Sequence, residues 1–324
     1  MSQPLGNAGS DQSPPPTFPG RITVLGPGGV GGLLAGLLAR DGREVTVVAT
    51  ESTAAHIASE GLRVDSAVFG DFTAEVEAVS QATAPTDVLV VGCKATSLDA
   101  ALRRVPAECV SGALVLPLLN GLEHMAVLRS CYPGAHVPAA AIRVESTRVA
   151  PGRIVQSSPF TMLDIACSGV PAERVEALAE AVRTTGFSVQ VHDGENAENT
   201  VLWTKLHVLL PMALVCAHSG LPVEGARTTR RDDLAGVAGE VADTAVRLGV
   251  RLDTAGVLAM VDAIPGRTKP SMLRDREAGR PMEVDALGGA LLRAARRVGA
   301  DTPVAARIVA ELERVDRASA PATS

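Results

Sequence analysis

Lysine is scarce in this chain of 324 residues, which has only three lysines, Lys94, Lys205 and Lys269, beside 27 arginines. No run of Lys and Arg occurs and the formal net charge is -6, which argues against a surface for nucleic acid or for an anionic membrane. Because an ammonium group can release its proton whereas a guanidinium hardly does, each lysine marks a candidate position for acid–base chemistry.

The cysteine and histidine patterns of metal and disulfide sites are also missing. The five cysteines are odd in number and show no C-x-x-C spacing, and the six histidines show no H-E-x-x-H spacing. The sequence therefore predicts neither a metal site nor a disulfide, and isolated buried thiols are the simpler interpretation of the cysteines.

Long apolar segments and targeting segments are not evident either. The longest apolar run, residues 206–217, is too short for a membrane span and contains Pro211. Residues 1–20 contain no Lys or Arg and are dominated by Pro, Ser, Gln and Gly, so we expect a disordered tail rather than a signal or transit peptide. These features predict a cytoplasmic protein with neither nucleic acid nor a membrane as a partner.

A glycine-rich loop organises the chain. Gly26, Gly28 and Gly31 have the G-x-G-x-x-G spacing, with an apolar strand before them and an Ala/Leu-rich helix after them. A second strand at 44–48 completes a βαβ unit, the context that distinguishes a dinucleotide-binding turn from a flexible loop. The first glycine permits the turn, the second leaves room for a pyrophosphate at the helix N-terminus, and the third lets helix and strand pack closely. The predicted cofactor-binding residues of this loop are Gly26, Pro27, Gly28, Gly29, Val30 and Gly31.

Strands and helices alternate after this unit, as in a doubly wound sheet. Buried strands are predicted at 87–91 and 113–117, and Lys94 and Asn120 follow their ends. Ligands of such sheets lie beyond the carboxyl ends of the strands, so both residues are expected beside the glycine loop. Short strands and one helix, at 171–184, are predicted up to residue 194.

Nearly every segment beyond residue 194 has a helical period. We predict an α/β protein in which a Rossmann-type dinucleotide-binding domain with a doubly wound sheet, at 21–194, precedes an all-helical substrate and catalytic domain, at 195–320. The predicted helices of the second domain cover residues 196–218, 230–248, 253–264, 271–278, 285–298 and 303–318.

The helical part must supply a proton donor and substrate contacts, and three of its residues qualify. Lys205 opens an apolar helix, where it is either a proton donor or a lysine whose stem packs while its charge reaches water. Ser271 is either a ligand group or the N-cap of a helix. Glu283 either orients a lysine or a ribose, or caps the helix that follows it.

Six short motifs together resemble the ketopantoate reductases (2-dehydropantoate 2-reductases) over about residues 21–318. They occur in the family's order: Gly26-Pro-Gly-Gly-Val-Gly31, Cys93-Lys94, Asn120-Gly121, Trp203-x-Lys205-Leu206, Ser271-Met272 with Asp275, and Met282-Glu283-Val-Asp285. The resemblance implies a reductase in which Lys205 is the general acid that protonates the keto oxygen while NADPH delivers hydride to the carbon.

The same resemblance implies roles for four further residues. Ser271 would bind the substrate carboxylate, and Glu283 would contact the cofactor and support the catalytic lysine. Lys94 and Asn120 match positions at the nicotinamide end of the cofactor, and Asn120 is also a candidate substrate-binding residue.

Two departures from the family pattern bear on substrate and cofactor. Ketopantoate reductases carry asparagines four and eight residues after the catalytic lysine, whereas the corresponding candidate substrate-binding positions here are Leu209 and Ala213, which cannot hydrogen-bond a hydroxyl group. After the second strand, Thr50 and Glu51 stand where many relatives have an arginine for the 2′-phosphate of NADP. Thr50 can bond a phosphate and Glu51 can bond a free 2′-hydroxyl, so NADP is expected from the resemblance and NAD stays open.

The sequence thus predicts an NAD(P)H-dependent reductase of a small 2-oxo acid or a related carbonyl substrate. It does not determine the oligomeric state, for which a homodimer is one option. Two other interpretations remain: a redox sensor that binds dinucleotide without catalysis, and a related β-hydroxyacid, imine or opine-type dehydrogenase. Loss of the two asparagines favours the sensor, whereas retention of Lys205, Ser271 and Glu283 favours the enzyme more strongly.

Overall fold

The computed structural model of the protein describes residues 20–319. Apart from Gly20, the tail predicted at residues 1–20 lies outside the described residues. Within residues 20–319 the chain forms twelve strands in three sheets. The strands are β1 Ile22–Leu25, β2 Val45–Val48, β3 Leu62–Ser66, β4 Phe72–Ala74, β5 Glu77–Val79, β6 Val88–Val91, β7 Leu114–Pro117, β8 Ala140–Arg143, β9 Ser146–Ala150, β10 Arg153–Gln156, β11 Met162–Ala166 and β12 Ser188–His192.

The same part of the chain forms twelve α-helices, of which the last seven follow one another without a strand between them. They are α1 Gly29–Arg40, α2 Glu51–Glu60, α3 Leu98–Leu102, α4 His124–Cys131, α5 Ala172–Arg183, α6 Ala197–Ser219, α7 Val223–Thr229, α8 Arg231–Arg247, α9 Thr254–Ala263, α10 Ser271–Glu277, α11 Ala290–Val298 and α12 Pro303–Ser319. A π-helical segment, Asp285–Gly289, leads directly into α11.

A parallel five-stranded sheet forms the centre of the N-terminal half. Its strand order is β5-β2-β1-β6-β7, and every neighbouring pair is parallel. The residues of β1, β6 and β7 are all buried, as expected for a parallel sheet that is covered on both faces. The chain order reverses between β1 and β6, which is the switch point where open α/β sheets bind ligands.

Helix α1 lies between this sheet and the four-stranded sheet β4-β3-β10-β9. Its residues 31–38 are all buried, as expected for a helix that is apolar on every side. A β-carbon at Gly29 would lie 2.1 Å from the carbonyl oxygen of Ser146. A β-carbon at Gly32 would lie 2.7 Å from Ile154 Cδ1. These two glycines therefore let the four-stranded sheet approach the helix backbone closely.

The third sheet connects the two halves of the chain. Its order is β12-β11-β8, with β11 parallel to β12 and antiparallel to β8. Helix α5 packs on β12, and helix α6 packs on β8 and β11. Because β8 ends at Arg143, this arrangement brings an arginine close to α6.

Helix α6 is the central element of the helical half. It packs against α7, α8, α9, α10 and α12 and continues through Pro211. By length and mean hydropathy, 1.6, α6 is long and apolar enough to cross a membrane, but 67% of that apolar window is buried inside the fold. Such burial is typical of the core helix of a globular domain.

Two groups of hydrophobic residues meet along α6. Ala197, Val201 and Leu202 belong to a cluster with the five-stranded sheet, whereas the residues from Trp203 onward belong to the core of the helical half. We therefore propose that the two domains meet at the start of α6, close to the boundary predicted at residue 194.

The structure confirms the predicted fold class, a Rossmann-type sheet followed by helices. The six helices predicted beyond residue 194 correspond to α6, α8, α9, α10, α11 with its π-helical segment, and α12. Helices α4 and α7 and the separation of the remaining strands into two smaller sheets were not predicted. All five cysteines are free, but Cys131 is exposed and Cys93 is partly buried, so the expectation of buried thiols was right for three of them.

Candidate active site

The glycine loop follows β1 as the sequence predicts, and two of its glycines are required by the protein itself. Gly26 has a φ of +83°, and a β-carbon there would lie 2.9 Å from the backbone nitrogen of Cys93. A β-carbon at Gly31 would lie 2.4 Å from the carbonyl oxygen of Gly26. The turn at the first glycine and the close packing at the third therefore have the predicted physical basis.

Gly28 differs from both, because a side chain there would meet almost no protein. Its φ is -70°, and an added β-carbon would only touch the carbonyl oxygen of Gly92, at 3.4 Å. It is the N-cap of α1, and no side chain caps this helix end. The loop thus leaves open space beside uncapped backbone N–H groups at a helix N-terminus, which fits the pyrophosphate of a dinucleotide.

A hydroxyl, a carboxylate and a guanidinium group lie at the carboxyl end of β2. Thr50 and Glu51 are exposed, and the hydroxyl of Thr50 donates to Thr53 Oγ1 at 3.0 Å. Arg104, which sequence reasoning missed, donates from Nη1 to the carbonyl oxygens of Ala49, at 3.3 Å, and Ser80, at 2.9 Å. A partly buried positive charge therefore lies at the ends of β2 and β5, next to Thr50.

Glu283 joins the helical half to the edge of the five-stranded sheet. Its carboxylate is buried and accepts a hydrogen bond from the backbone N–H of Ala95, at 2.9 Å, just after β6. It also accepts one from Asn120 Nδ2, at 3.5 Å, just after β7. The structure thus brings Glu283 and Asn120 together at the carboxyl ends of two neighbouring strands, and Glu283 does not cap its own helix.

Lys94 lies in the same loop as Ala95 and is bound by a carboxylate of the helical half. Its Nζ donates to Asp275 Oδ2 at 2.5 Å, and Arg280 Nε donates to the other carboxylate oxygen at 3.0 Å. Asp275 is almost fully buried in α10. Asp275 therefore fixes the lysine beside Ala95, and the sequence alone showed this residue only as part of a motif.

Lys205 lies in the third turn of α6, so the description of it as opening a helix is wrong, although the predicted helix at 196–218 agrees with Ala197–Ser219. Its ammonium makes no hydrogen bond and no ion pair with any residue of the described range 20–319. Burial lowers the pKa of the Lys205 ammonium to about 8, while the nearby charge of Glu283 opposes this shift and that of Arg143 adds to it. Lys205 thus carries an ammonium group that has no hydrogen-bond partner among residues 20–319 and lies close to the carboxylate of Glu283.

Ser271 is the first residue of α10, and the alternative interpretation, that it caps this helix, is wrong. The N-cap is Pro270, and no side-chain hydrogen bond caps this helix. The Ser271 hydroxyl is partly buried and has no hydrogen-bond partner among the described residues. It is therefore available to a ligand.

Two family models match the chain. The model of ketopantoate reductase PanE/ApbA matches residues 22–165, and the model of its C-terminal part matches residues 199–316. The chain belongs to the ketopantoate reductase family. Members of this family are nicotinamide-dinucleotide-dependent oxidoreductases, and this chain is one of them.

Individual relatives match over nearly their whole length. The 2-dehydropantoate 2-reductase of Caulobacter vibrioides is 30% identical over 302 residues, which cover 90% of this chain and 97% of the relative. A PanE/ApbA family ketopantoate reductase from Ralstonia eutropha, known from its crystal structure, is 25% identical with a TM-score of 0.83 and covers 92% of this chain and 99% of its own. The ternary structure of D-mandelate dehydrogenase with NADH and anilino(oxo)acetate shares the fold, at 20% identity and a TM-score of 0.82, with the same coverage of both chains.

Leu209 and Ala213, which replace the two asparagines of the ketopantoate reductase family pattern, differ in burial. Leu209 follows Lys205 by one helical turn and is partly buried, whereas Ala213, one turn further, is fully buried in the helical core. Only Leu209 therefore retains surface next to the lysine in this structure.

Three residues near the site of this ketopantoate reductase family member escaped the sequence analysis. Arg143 and Arg104 reach the site from β8 and from the end of α3, and His124 lies buried in α4 near Lys205. No motif distinguishes Arg104 or Arg143 from the other arginines of the sequence, and a lone histidine in an unpredicted helix gives no spacing signal. Within residues 20–319 no group of three or more His, Cys, Asp and Glu side chains is arranged to hold a metal ion.

Proposed function

We propose that the protein uses NADPH to reduce the keto group of a small 2-oxo acid, or a related carbonyl, with Lys205 as the proton donor. The observation that carries this proposal is the unpaired ammonium of Lys205 beside Glu283, whose carboxylate is anchored to Ala95 and Asn120 at the edge of the sheet. This edge is also where the glycine loop leaves space for a dinucleotide.

The bound cofactor supplies the hydride to the carbonyl carbon. Negative charge then develops on the carbonyl oxygen, and the Lys205 ammonium donates a hydrogen bond to that oxygen and transfers a proton to it, which leaves an alcohol. A lysine with a pKa of about 8 is a better proton donor at neutral pH than a lysine with the ordinary value of 10.5. Glu283 keeps the ammonium from losing its proton prematurely by favouring the charged form.

Ser271 is the proposed anchor for the substrate carboxylate. Its hydroxyl is partly buried and lacks a partner, and α10 packs directly against α6, which carries Lys205. A hydrogen bond to a charged group contributes about 1.5–3 kcal/mol, so one hydroxyl is enough to orient a small acid.

Leu209 points to substrates with an apolar group next to the reacting carbon. A leucine one turn after the proton donor offers contact to an alkyl or aryl substituent and no partner to a hydroxyl group. D-mandelate dehydrogenase, which shares the fold, has been crystallised with anilino(oxo)acetate, an oxo acid that carries an aromatic ring.

The substrate proposal is tested by NADPH oxidation with a panel of 2-oxo acids that differ in branching and in a hydroxyl group on the side chain. We expect apolar 2-oxo acids to have the highest kcat/KM, and the Leu209→Asn variant to shift the preference toward hydroxylated acids by about tenfold or more. Leu209→Val is the matched control, which shortens the side chain without adding a polar group. A preference that does not change with Leu209→Asn would refute the contact between residue 209 and substrate.

NADP is the proposed cofactor, and Arg104 supports it. The arginine that binds 2′-phosphate in many relatives is missing after β2, but the guanidinium of Arg104 lies beside the carbonyl oxygen of Ala49, one residue before Thr50. We propose that Arg104 and Thr50 bind the 2′-phosphate together and outweigh the repulsion from Glu51.

Calorimetry with both cofactors tests this choice. We expect Arg104→Met to weaken NADPH binding by about tenfold and to leave NADH binding nearly unchanged, because only NADPH carries the additional phosphate. Arg103→Met is the matched control, since Arg103 is exposed and adjacent in sequence. Equal losses for both cofactors, or tighter binding of NADH by the unaltered protein, would contradict the assignment.

A further inference from the structure

Helix α4 contains a buried imidazole that the proposed mechanism does not use. His124 is only 5% exposed, and neither Nδ1 nor Nε2 has a hydrogen-bond partner among residues 20–319. A neutral imidazole carries one N–H donor and one acceptor nitrogen, and a buried polar group without a partner destabilises the fold. A histidine at such a position therefore calls for a functional explanation.

An ion pair joins α4 to α6 two turns before Lys205. Arg129 of α4 donates to the carboxylate of Glu198 on α6, at 3.1 Å from Nη1 and 2.5 Å from Nη2. Lys205 lies seven residues after Glu198, two turns along the same face of α6, and His124 lies five residues before Arg129. Leu122, two residues before His124, packs against both of the hydrophobic clusters that meet along α6.

The charges of the two groups influence each other as expected for neighbours. Burial lowers the pKa of His124 to about 4, and the positive charges of Lys205 and Arg129 contribute to the shift. The imidazole is consequently neutral at pH 7, with one nitrogen able to accept a hydrogen bond. Lys205 next to it has three N–H groups and no partner within the described range.

We propose that His124 is a positioning residue for Lys205, whose ammonium it holds by accepting a hydrogen bond at a ring nitrogen. The inference rests on the proposed role of Lys205 as proton donor. The bond requires the flexible lysine side chain to turn toward the ring, and it pairs an unpaired donor with an unpaired acceptor. The bond aims one of the two remaining N–H groups at the substrate's carbonyl oxygen.

A neutral acceptor suits a lysine that must give up its proton. A second carboxylate beside the ammonium would raise the lysine pKa and make Lys205 a weaker acid, whereas an imidazole fixes its direction without adding negative charge. Glu283 and Arg143 are the charged groups that act on Lys205. Three acidic groups on helices packed against α6 are bound elsewhere: Asp275 to Lys94 and Arg280, Glu240 to the N–H groups of Val304 and Ala305, and Glu311 to His218.

The scarcity of lysine makes a direct test practical. In protein labelled with ¹³C-lysine, the three lysines give three side-chain signals, which Lys→Arg variants assign, and a pH titration reports the pKa of Lys205 without any need for activity. We expect His124→Leu to lower the pKa of Lys205 by about one unit, a tenfold change in its dissociation constant, because the ammonium loses an acceptor. His124→Gln, whose amide oxygen can accept the same bond, should restore most of the difference.

His207→Leu is the matched control. His207 is also buried, at 2% exposure, and lies on α6 two residues after Lys205 and so on the opposite side of the helix. Its replacement should leave the pKa of Lys205 unchanged. The variant His124→Asn shortens the side chain and keeps it polar. An unchanged pKa of Lys205 in both His124→Leu and His124→Asn would overturn the proposal. If His124→Leu does not fold, the result for His124→Asn decides.

Kinetic and stability measurements separate positioning from packing. With the 2-oxo acid that the wild type reduces best, His124→Leu should lower kcat about tenfold and leave the affinity for NADPH unchanged, while His124→Gln should keep most of the wild-type kcat. A lower melting temperature with an unchanged lysine pKa would make His124 a structural residue only. If His124→Leu changes the pKa of Lys205 but the wild type reduces no carbonyl, the proposed function is wrong. The proposed hydrogen bond between His124 and Lys205 is then still supported.

Discussion

Gly28 and Gly31 lie three residues apart and differ in what a methyl group would meet. At Gly31 it would lie 2.4 Å from a backbone oxygen, whereas at Gly28 the nearest atom is 3.4 Å away. We expect Gly31→Ala to destabilise the protein by about 1–3 kcal/mol, as overpacking does, and Gly28→Ala to cost less than about 1 kcal/mol. Denaturant unfolding measures both.

The cofactor affinity of two Gly28 variants tests the function of the loop. Gly28→Ala should bind NADPH much more weakly although its fold is intact, because the methyl group occupies the space proposed for the pyrophosphate, and the larger Gly28→Val should abolish binding. Unchanged affinity of both variants in calorimetry would refute the assignment of the loop.

The lowered pKa of Lys205 predicts a specific pH profile. Carbonyl reduction needs the protonated ammonium, whose fraction falls as the pH rises through about 8 instead of through the ordinary 10.5. We therefore expect kcat/KM for reduction to be constant below this pH and to fall about tenfold per pH unit above it. Oxidation of the alcohol needs the neutral amine and should rise over the same range. A reduction rate that stays constant up to pH 10 would show that Lys205 is not the proton donor.

Helix α10 carries two carboxylates with different environments. Asp275 is buried between Lys94 and Arg280, whereas Glu277 forms a pair with Lys269 in which both side chains are more than 40% exposed. Because the partners of Asp275 are themselves half-exposed, we expect Asp275→Asn to cost about 1–2 kcal/mol, less than the ~3–5 kcal/mol of a fully buried pair. Glu277→Gln should stay within about 0.5 kcal/mol. Equal effects of the two variants on the free energy of unfolding would contradict this distinction.

The sequence predicted single elements well and their partners poorly. A strand, three spaced glycines and an apolar helix define α1 locally, and the apolar period of α6 is clear despite Pro211. The contact between Lys94 and Asp275 joins residues 181 positions apart, and no local pattern encodes such a pair. Helices α4 and α7 have eight and seven residues, too few for a helical period to stand out.

The same limit applies to the glycines of α1. The motif accounts for Gly26, Gly28 and Gly31, but the reason for Gly29 and Gly32 is a second sheet, whose position depends on strands more than a hundred residues later. The proposed cofactor role of the motif could be inferred from spacing because the motif is local. The packing role of the other two could not.

The two halves of the molecule contact each other where the proposed chemistry occurs. Glu283 bonds to Ala95 and Asn120, Lys94 pairs with Asp275, and a β-carbon on Gly121 would lie 2.3 Å from the carbonyl oxygen of Ala286. These contacts all lie beyond the carboxyl ends of β6 and β7. The helical half is thereby fixed against the end of the sheet where nicotinamide is proposed to bind, and the homodimer stays a prediction.

The central claim is that Lys205 donates the proton in a reduction that uses NADPH. The most direct measurement compares NADPH consumption by wild type, Lys205→Ala and Lys269→Ala on the best 2-oxo acid of the panel, together with NADPH affinity. We expect Lys205→Ala to lower kcat by about 10²- to 10⁴-fold at unchanged NADPH affinity, and Lys269→Ala, an exposed lysine, to behave as wild type. Lys205→Arg should rescue little, since a guanidinium hardly releases a proton. Normal turnover by Lys205→Ala, or a wild type that binds NADPH and reduces none of the acids, would contradict the account.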